Sequence, residues 1–324
     1  MKKKVLVTYK MPYEGYLELV KHCDVTFSEG QTFTYEEVYE VIDQYDALLS
    51  MYDFKVDKAL IDKATKLKIV SNYAVGFDNV DISYCTEKGI QVTNTPDVVT
   101  DPTADQALGL MLAVARNIVS CARKFRSPEG FEWGLLNNLG VSLYGKTLGI
   151  IGMGRIGLAL AKRAIACGMK IVYNNRKQLS QEQEQEYNAT YVSFDDLLRT
   201  SDFISVNAPH TPETHHMLDT PQFEMMKPDA IVINTARGPL IHEQALIDAL
   251  KNNTIRGAGL DVYEFGEVAS PGLLTLENVV LNPHTGTQTI DVRNEMSRVA
   301  SRNILSFFDG EGTIHRVNNI SENK

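Results

Sequence analysis

The chain has 324 residues, 44% apolar and 23% charged, which suits two domains with separate cores and excludes both extensive disorder and a disulfide-stapled miniprotein. Asp and Glu outnumber Lys and Arg by 41 to 32, a formal charge of −9. That balance offers no general attraction to phosphate backbones and argues against nucleic acid as a partner.

In chain order, Lys2, Lys3 and Lys4 precede an apolar stretch that ends at Val7, too soon for a secretory leader. No later run approaches the roughly 20 apolar residues that cross a bilayer, so no membrane is expected. Residues 4–8, 47–51 and 68–71 read as strands, separated by helical patterns such as 35–44 and 58–65. This alternation predicts a parallel sheet with helices on both faces. A turn-rich loop at 93–97 leads through Asp101-Pro102-Thr103, a helix-start signal, into a long apolar helix over 104–118. Beyond Gly140 the alternation restarts with strand 147–151, helix 155–167 and strand 170–173. A polar run at 178–186 reads as a solvated helix start, and strands follow at 203–207, 230–234, 257–262 and 279–282. A helix over 289–308 closes the chain and is expected to return to the first domain. The predicted fold class is α/β, with two doubly wound parallel-sheet (Rossmann-like) domains. Cys23, Cys85, Cys121 and Cys167 stand singly, a pattern of reduced thiols in a cytoplasm and not of a disulfide frame or zinc site.

Gly152-Met153-Gly154-Arg155-Ile156-Gly157 is a G-x-G-x-x-G between a predicted strand and helix. There Gly152 permits the tight turn, Gly154 lets the backbone approach a pyrophosphate, and Gly157 allows close helix packing, with the helix N-terminus facing the anion. The next strand ends in Asn174-Asn175-Arg176-Lys177, where an acid would normally hold the adenosine ribose and repel a 2′-phosphate. Asn175, Arg176 and Lys177 offer neutral donors and two cations instead, favouring NADP(H) over NAD(H). Ordinary surface basics beside a strand end remain the other reading. Three further strands end at Arg237, at Asp261 and at His284, which brings Arg, Asp and His to one edge of a sheet that holds a dinucleotide.

These motifs resemble the D-2-hydroxyacid dehydrogenase family, which includes glyoxylate/hydroxypyruvate reductases, over essentially the whole chain. Residues 71–81, SNYAVGFDNVD, resemble its substrate-carboxylate loop, and Thr103-Ala104-Asp105 its nicotinamide-side helix start. The resemblance implies a substrate-binding domain of residues 1–99 plus 288–324 and a dinucleotide-binding domain of residues 100–287. It further implies reaction with a small 2-keto or 2-hydroxy acid in the interdomain cleft, and a homodimer built largely from the nucleotide domains. Carried to matching positions, it makes Arg237 the group that holds the substrate carboxylate and polarises the C2 carbonyl, assisted by the Val75 and Gly76 amides. His284 becomes the acid for the developing alkoxide; an always-charged Arg and a His that exchanges protons near neutrality suit these tasks. Thr103, Arg155, Ile156, Ala208, Pro209, Thr235, Asp261 and Gly286 fall along the implied cofactor path, Asp261 near the nicotinamide carboxamide.

One departure stands out. The family places the acid that orients the catalytic His five positions after Asp261, where this chain has Gly266. Glu267 can take the role by a one-residue shift that Gly266 permits, Glu264 is nearby, or the His has no carboxylate partner. The missing acid lends some support to an alternative function, a cofactor-sensing binding protein of the corepressor type with little or no turnover. His210, His215 and His216 lie close in sequence without ligand spacing, so no metal is expected, and His22, His242 and His315 read as surface or helix residues. Trp133, the single tryptophan, is expected to anchor packing or reach a neighbouring subunit. Tyr52 and Phe54 either line the substrate side or pack.

Overall fold

The computed structural model describes residues 2–128 and 130–320. The chain divides into two compact units, one running to Val99 and resuming at Gln288, the other Thr100–Thr287.

In the first unit, β1 (Lys4–Val7), β2 (Asp24–Phe27), β3 (Ala47–Met51), β4 (Ile69–Tyr73) and β5 (Gln91–Thr93) form a parallel sheet of order β2-β1-β3-β4-β5. Strand alternation sends Leu6, Leu48, Val70 and Val92 into one apolar layer and Val5, Val7, Ala47, Leu49, Ile69 and Tyr73 into the other. That second layer is completed by Met296, Ala300 and Ile304 of the helix Ile290–Asp309. Ser71 Oγ donates to the Ala300 carbonyl at 2.9 Å and Tyr73 OH to the Arg293 carbonyl at 2.7 Å. The last helix therefore belongs to the first sheet. Phe54 is buried and stacks on Tyr35, with ring centroids 6.1 Å apart, so of its two readings the structure takes packing.

In the second unit, β6 (Thr147–Ile151), β7 (Lys170–Asn174), β8 (Ala189–Tyr191), β9 (Phe203–Val206), β10 (Ile231–Asn234), β11 (Gly257–Leu260) and β12 (Val279–Leu281) are all parallel, ordered β12-β11-β10-β9-β6-β7-β8. The order reverses between β6 and β9, and ligands of such sheets bind beyond the strand C-termini at that switch. Both units are thus doubly wound α/β sheets.

The helix expected over 104–118 runs Thr100–Ala115. It starts earlier because Pro102 lies in the first turn, where a missing N–H costs nothing. It stops because Asn117 takes the left-handed conformation, φ +52°, before a separate helix Ile118–Phe125. The polar run forms the helix Gln181–Glu186, capped reciprocally by Ser180 and Gln183, with no buried residue. Trp133 is 81% exposed and anchors no packing within the chain. Among the described residues no helix is long and apolar enough to cross a membrane.

Candidate active site

β6 delivers the chain into Gly152, whose φ of +90° suits glycine, and a side chain there would meet the Ala208 backbone nitrogen at 2.7 Å. Gly154 is the N-cap of the helix Arg155–Ala166, without a side-chain cap, and open space surrounds the place a Cβ would take. Arg155, Ile156 and Gly157 form the first turn, with Gly157 packed against the Gly152 carbonyl. The uncapped amides face that open space, as a pyrophosphate requires. Asn175 braces this turn: its Oδ1 accepts from Met153 N at 2.6 Å, and its own carbonyl accepts from Tyr191 OH. The side chain offered as a ribose donor is therefore engaged with the glycine loop, leaving the exposed Arg176 and Lys177 beside it. Glu213, on the loop after β9, has its carboxyl held below the ordinary range, first by a Thr211 hydrogen bond and in part by Arg176. Ala208 and Pro209 lie on that loop; buried Asn207 Oδ1 and Thr235 Oγ1, just past β9 and β10, have no hydrogen-bond partner among the described residues. At a strand C-terminal edge, such atoms are available to a ligand group or water. With the open helix amides and two cations, these residues fit a dinucleotide.

Beyond β10, Asn234 accepts from Ala236 N at 3.0 Å and donates to the Arg237 carbonyl at 2.9 Å, fixing the turn that presents Arg237. The guanidinium donates from Nη1 to the Ala236 carbonyl at 2.7 Å. Beyond β12, His284 takes φ +53°, a conformation that costs a side-chain-bearing residue about 1–3 kcal/mol and persists only where the surroundings fix it. Asp261 does so: its carbonyl accepts from His284 N at 2.9 Å, and its carboxylate accepts from Thr285 N and Gly286 N, both at 2.8 Å. Burial pushes the Asp261 carboxyl up, and those amides pull against it. Both carboxylate oxygens thus serve the turn that carries His284, a structural task that the sequence does not announce. Thr103 and Gly286 are neighbours across the same turn.

Glu267 Oε2 lies 3.0 Å from His284 Nδ1, and its carboxyl is held below the ordinary range by the His284 hydrogen bond and by Arg237. The one-residue shift is made at Gly266, whose φ is +117°. Glu264 turns the other way, to His216 at 2.6 Å. His242, read as a surface or helix residue, joins the three histidines that lie close in sequence: His210 Nε2 lies 3.1 Å from His215 Nδ1, and His215, His216 and His242 stack at 3.9 and 4.7 Å. Their sequence separation hides this, because His242 enters from a different loop. Among the described residues no group of three or more His, Cys, Asp and Glu is arranged to hold a metal ion.

In the first unit, the Val75 carbonyl accepts from Asn94 Nδ2 at 2.8 Å and the Gly76 carbonyl from Asn72 Nδ2 at 2.9 Å. With the carbonyls tied, the Val75 and Gly76 N–H groups meet no acceptor among the described residues.

A fixed cation and a carboxylate-paired imidazole at the edge of a sheet with a dinucleotide turn define the class: an NAD(P)-linked oxidoreductase. Residues 108–286 match the model of "D-isomer specific 2-hydroxyacid dehydrogenase, NAD binding domain". The chain is 45% identical over 323 residues to a glyoxylate reductase of Thermococcus litoralis, covering 98% of this chain and 97% of that one. A glyoxylate reductase structure from Paecilomyes thermophila superposes with TM-score 0.88 at 33% identity, covering 98% of each chain. The NADPH-dependent glyoxylate/hydroxypyruvate reductase of Sinorhizobium meliloti, solved with NADP and malonate, gives TM-score 0.85 at 30% identity, covering 98% of this chain and 97% of that one. The chain belongs to the D-isomer specific 2-hydroxyacid dehydrogenase family.

Proposed function

We propose that the protein reduces a small 2-keto acid, of the glyoxylate or hydroxypyruvate type, to the 2-hydroxy acid with NADPH as the preferred cofactor. The observation that carries this reading is the placement of Arg237 and the Glu267–His284 couple at one edge of the sheet whose glycine turn fits a dinucleotide. The bound cofactor supplies the hydride. Arg237 holds the substrate carboxylate and draws electron density from the C2 carbonyl, and in the substrate-binding domain, residues 1–99 plus 288–324, the Val75 and Gly76 amides are the donors suited to a carboxylate. His284 gives its proton to the C2 oxygen, and Glu267 keeps the imidazole oriented and favours its charged form. Thr103, Ala208, Pro209, Thr235 and Gly286 line the cofactor path.

Arg176 and Lys177, at the end of β7 where a ribose-binding acid would otherwise stand, support the phosphorylated cofactor. Exposed Ile118, Trp133, Leu135 and Leu136 support a homodimer, since an apolar strip of this kind is what a second copy covers. Four free cysteines suit the cytoplasm. The test is the initial rate of NADPH and of NADH oxidation with glyoxylate, hydroxypyruvate and pyruvate. Turnover favouring NADPH and the first two acids supports the reading; cofactor binding without turnover replaces it with a cofactor sensor.

A further inference from the structure

Behind Arg237 lies a buried charged cluster that the reaction scheme above does not use. Glu243 and Glu264 are cross-tied: Glu264 Oε2 accepts from Glu243 N at 2.7 Å, and Glu243 Oε2 accepts from Glu264 N at 3.1 Å. Glu243 is only 4% exposed, and its other oxygen has no partner among the described residues. The Glu264 side chain is 9% exposed and places Oε1 2.6 Å from His216 Nε2. Two carboxylates are rarely buried this close without a purpose or a compensating cation.

The cluster sits where three loops of the site meet. The Tyr263–Glu264 peptide lies directly on Gly238, so close that a Cβ there would fall 1.8 Å from the Tyr263 carbonyl oxygen. Gly238 follows Arg237, and Glu264 is three residues before Glu267. His216 belongs to the loop after β9; its backbone N–H donates to the Pro239 carbonyl at 2.8 Å, and it is held at φ +52°. Pinning Glu264 therefore sets the backbone that presents Arg237 and the backbone that presents Glu267 at once.

We propose that Glu264, held by Glu243 and His216, is a positioning residue for the reduction, fixing Arg237 relative to the Glu267–His284 couple. This rests on the reductase reading. Glu264 touches no reacting atom; it acts through the loops it ties.

A carboxylate accepts from His216 whether the ring is neutral or charged, so the wild-type tie does not depend on that proton. In Glu264→Gln the amide oxygen can still accept from Glu243 N, but an NH2 then faces His216 Nε2. That pair is satisfied only while the Nε2 lone pair is free; once the ring is protonated, two donors oppose each other. The other ionisable groups around His216 are His215 and His242 stacked on its two sides, His210 on His215, Asp219 on His242, and Glu243.

The experiment measures kcat, keto-acid KM and NADPH affinity by fluorescence titration for wild type, Glu264→Gln and Glu264→Gln/His216→Asn, from about pH 6 to 8. Asn is chosen because it tolerates the left-handed backbone. Glu264→Gln should keep NADPH affinity within about twofold and approach wild-type kcat at the alkaline end, while losing about tenfold in kcat on acidification, a limb absent from wild type. The double variant should lack that added limb. A Glu264→Gln profile parallel to wild type, a loss matched by equally weakened NADPH binding, or an acid limb that persists in the double variant would overturn the proposal. Failure of the reductase reading is separate, because the wild type itself would then not turn over.

Discussion

At the scale of single residues, the proposed reaction puts most weight on Arg237 and on the carboxylate that meets His284. Arg237→Ala should lose nearly all turnover, at least about a hundredfold in kcat/KM, while cofactor titration by fluorescence is unchanged. Arg237→Lys should recover little, because an ammonium does not reproduce the planar fork. More than a tenth of wild-type activity in Arg237→Ala would remove the residue from its role. Glu267 lies below its ordinary range because of His284, so it stays ionised through neutrality and its contribution is lost only as pH falls through that lowered value. Taking away its charge removes an interaction that favours the imidazolium. In Glu267→Gln the alkaline limb of the reduction profile should therefore move toward acid and the rate should fall; a parental profile would show that the 3.0 Å contact does not serve the proton transfer. Only half of this pairing is legible in the sequence. Family spacing points to Gly266, and it takes a backbone at φ +117° to turn the next residue in. Asp261 shows the same limit: its position at a strand end is readable, but its bonds to the Thr285 and Gly286 amides follow from the path of β12, which no local pattern encodes.

At the scale of elements, strands buried on both faces announce themselves. Residues 148–151 and 231–233 carry no polar side chain because helices cover both sides, and the motifs at their C-terminal ends become a readable site. β2, β5 and β8 carry no such signal, being three or four residues long with polar members such as Asp24, Gln91 and Thr190; they form by pairing with a strand already in place. The boundary near Asn117 is likewise hidden, since the left-handed residue that ends the long helix is chosen by how the following helix docks. The loop after β7 is where the proposed cofactor preference is tested. Arg176→Ala should raise the KM for NADPH by about ten- to a hundredfold, the loss of one charge-assisted contact of about 1.5–3 kcal/mol, with little change for NADH. Equal wild-type efficiency with both cofactors would contradict the assignment of Arg176 and Lys177.

For the molecule as a whole, the chain leaves its first unit at Thr100 and returns at Gln288, so the first core is finished by the last helix. Ile304 is fully buried there with Val5, Leu49 and Tyr73. Ile304→Ala should cost about 2–5 kcal/mol of stability, read as a lowered midpoint in denaturant, and a change under about 0.5 kcal/mol would mean that the helix does not complete that core. The proposed reduction assigns substrate recognition to the first unit and cofactor binding to the second. Its most direct test is to incubate the purified protein with NADPH and hydroxypyruvate and resolve the glycerate formed by chiral chromatography. The account predicts D-glycerate in amounts equal to the NADPH consumed. NADPH bound without glycerate, or glycerate of the L configuration, would contradict it.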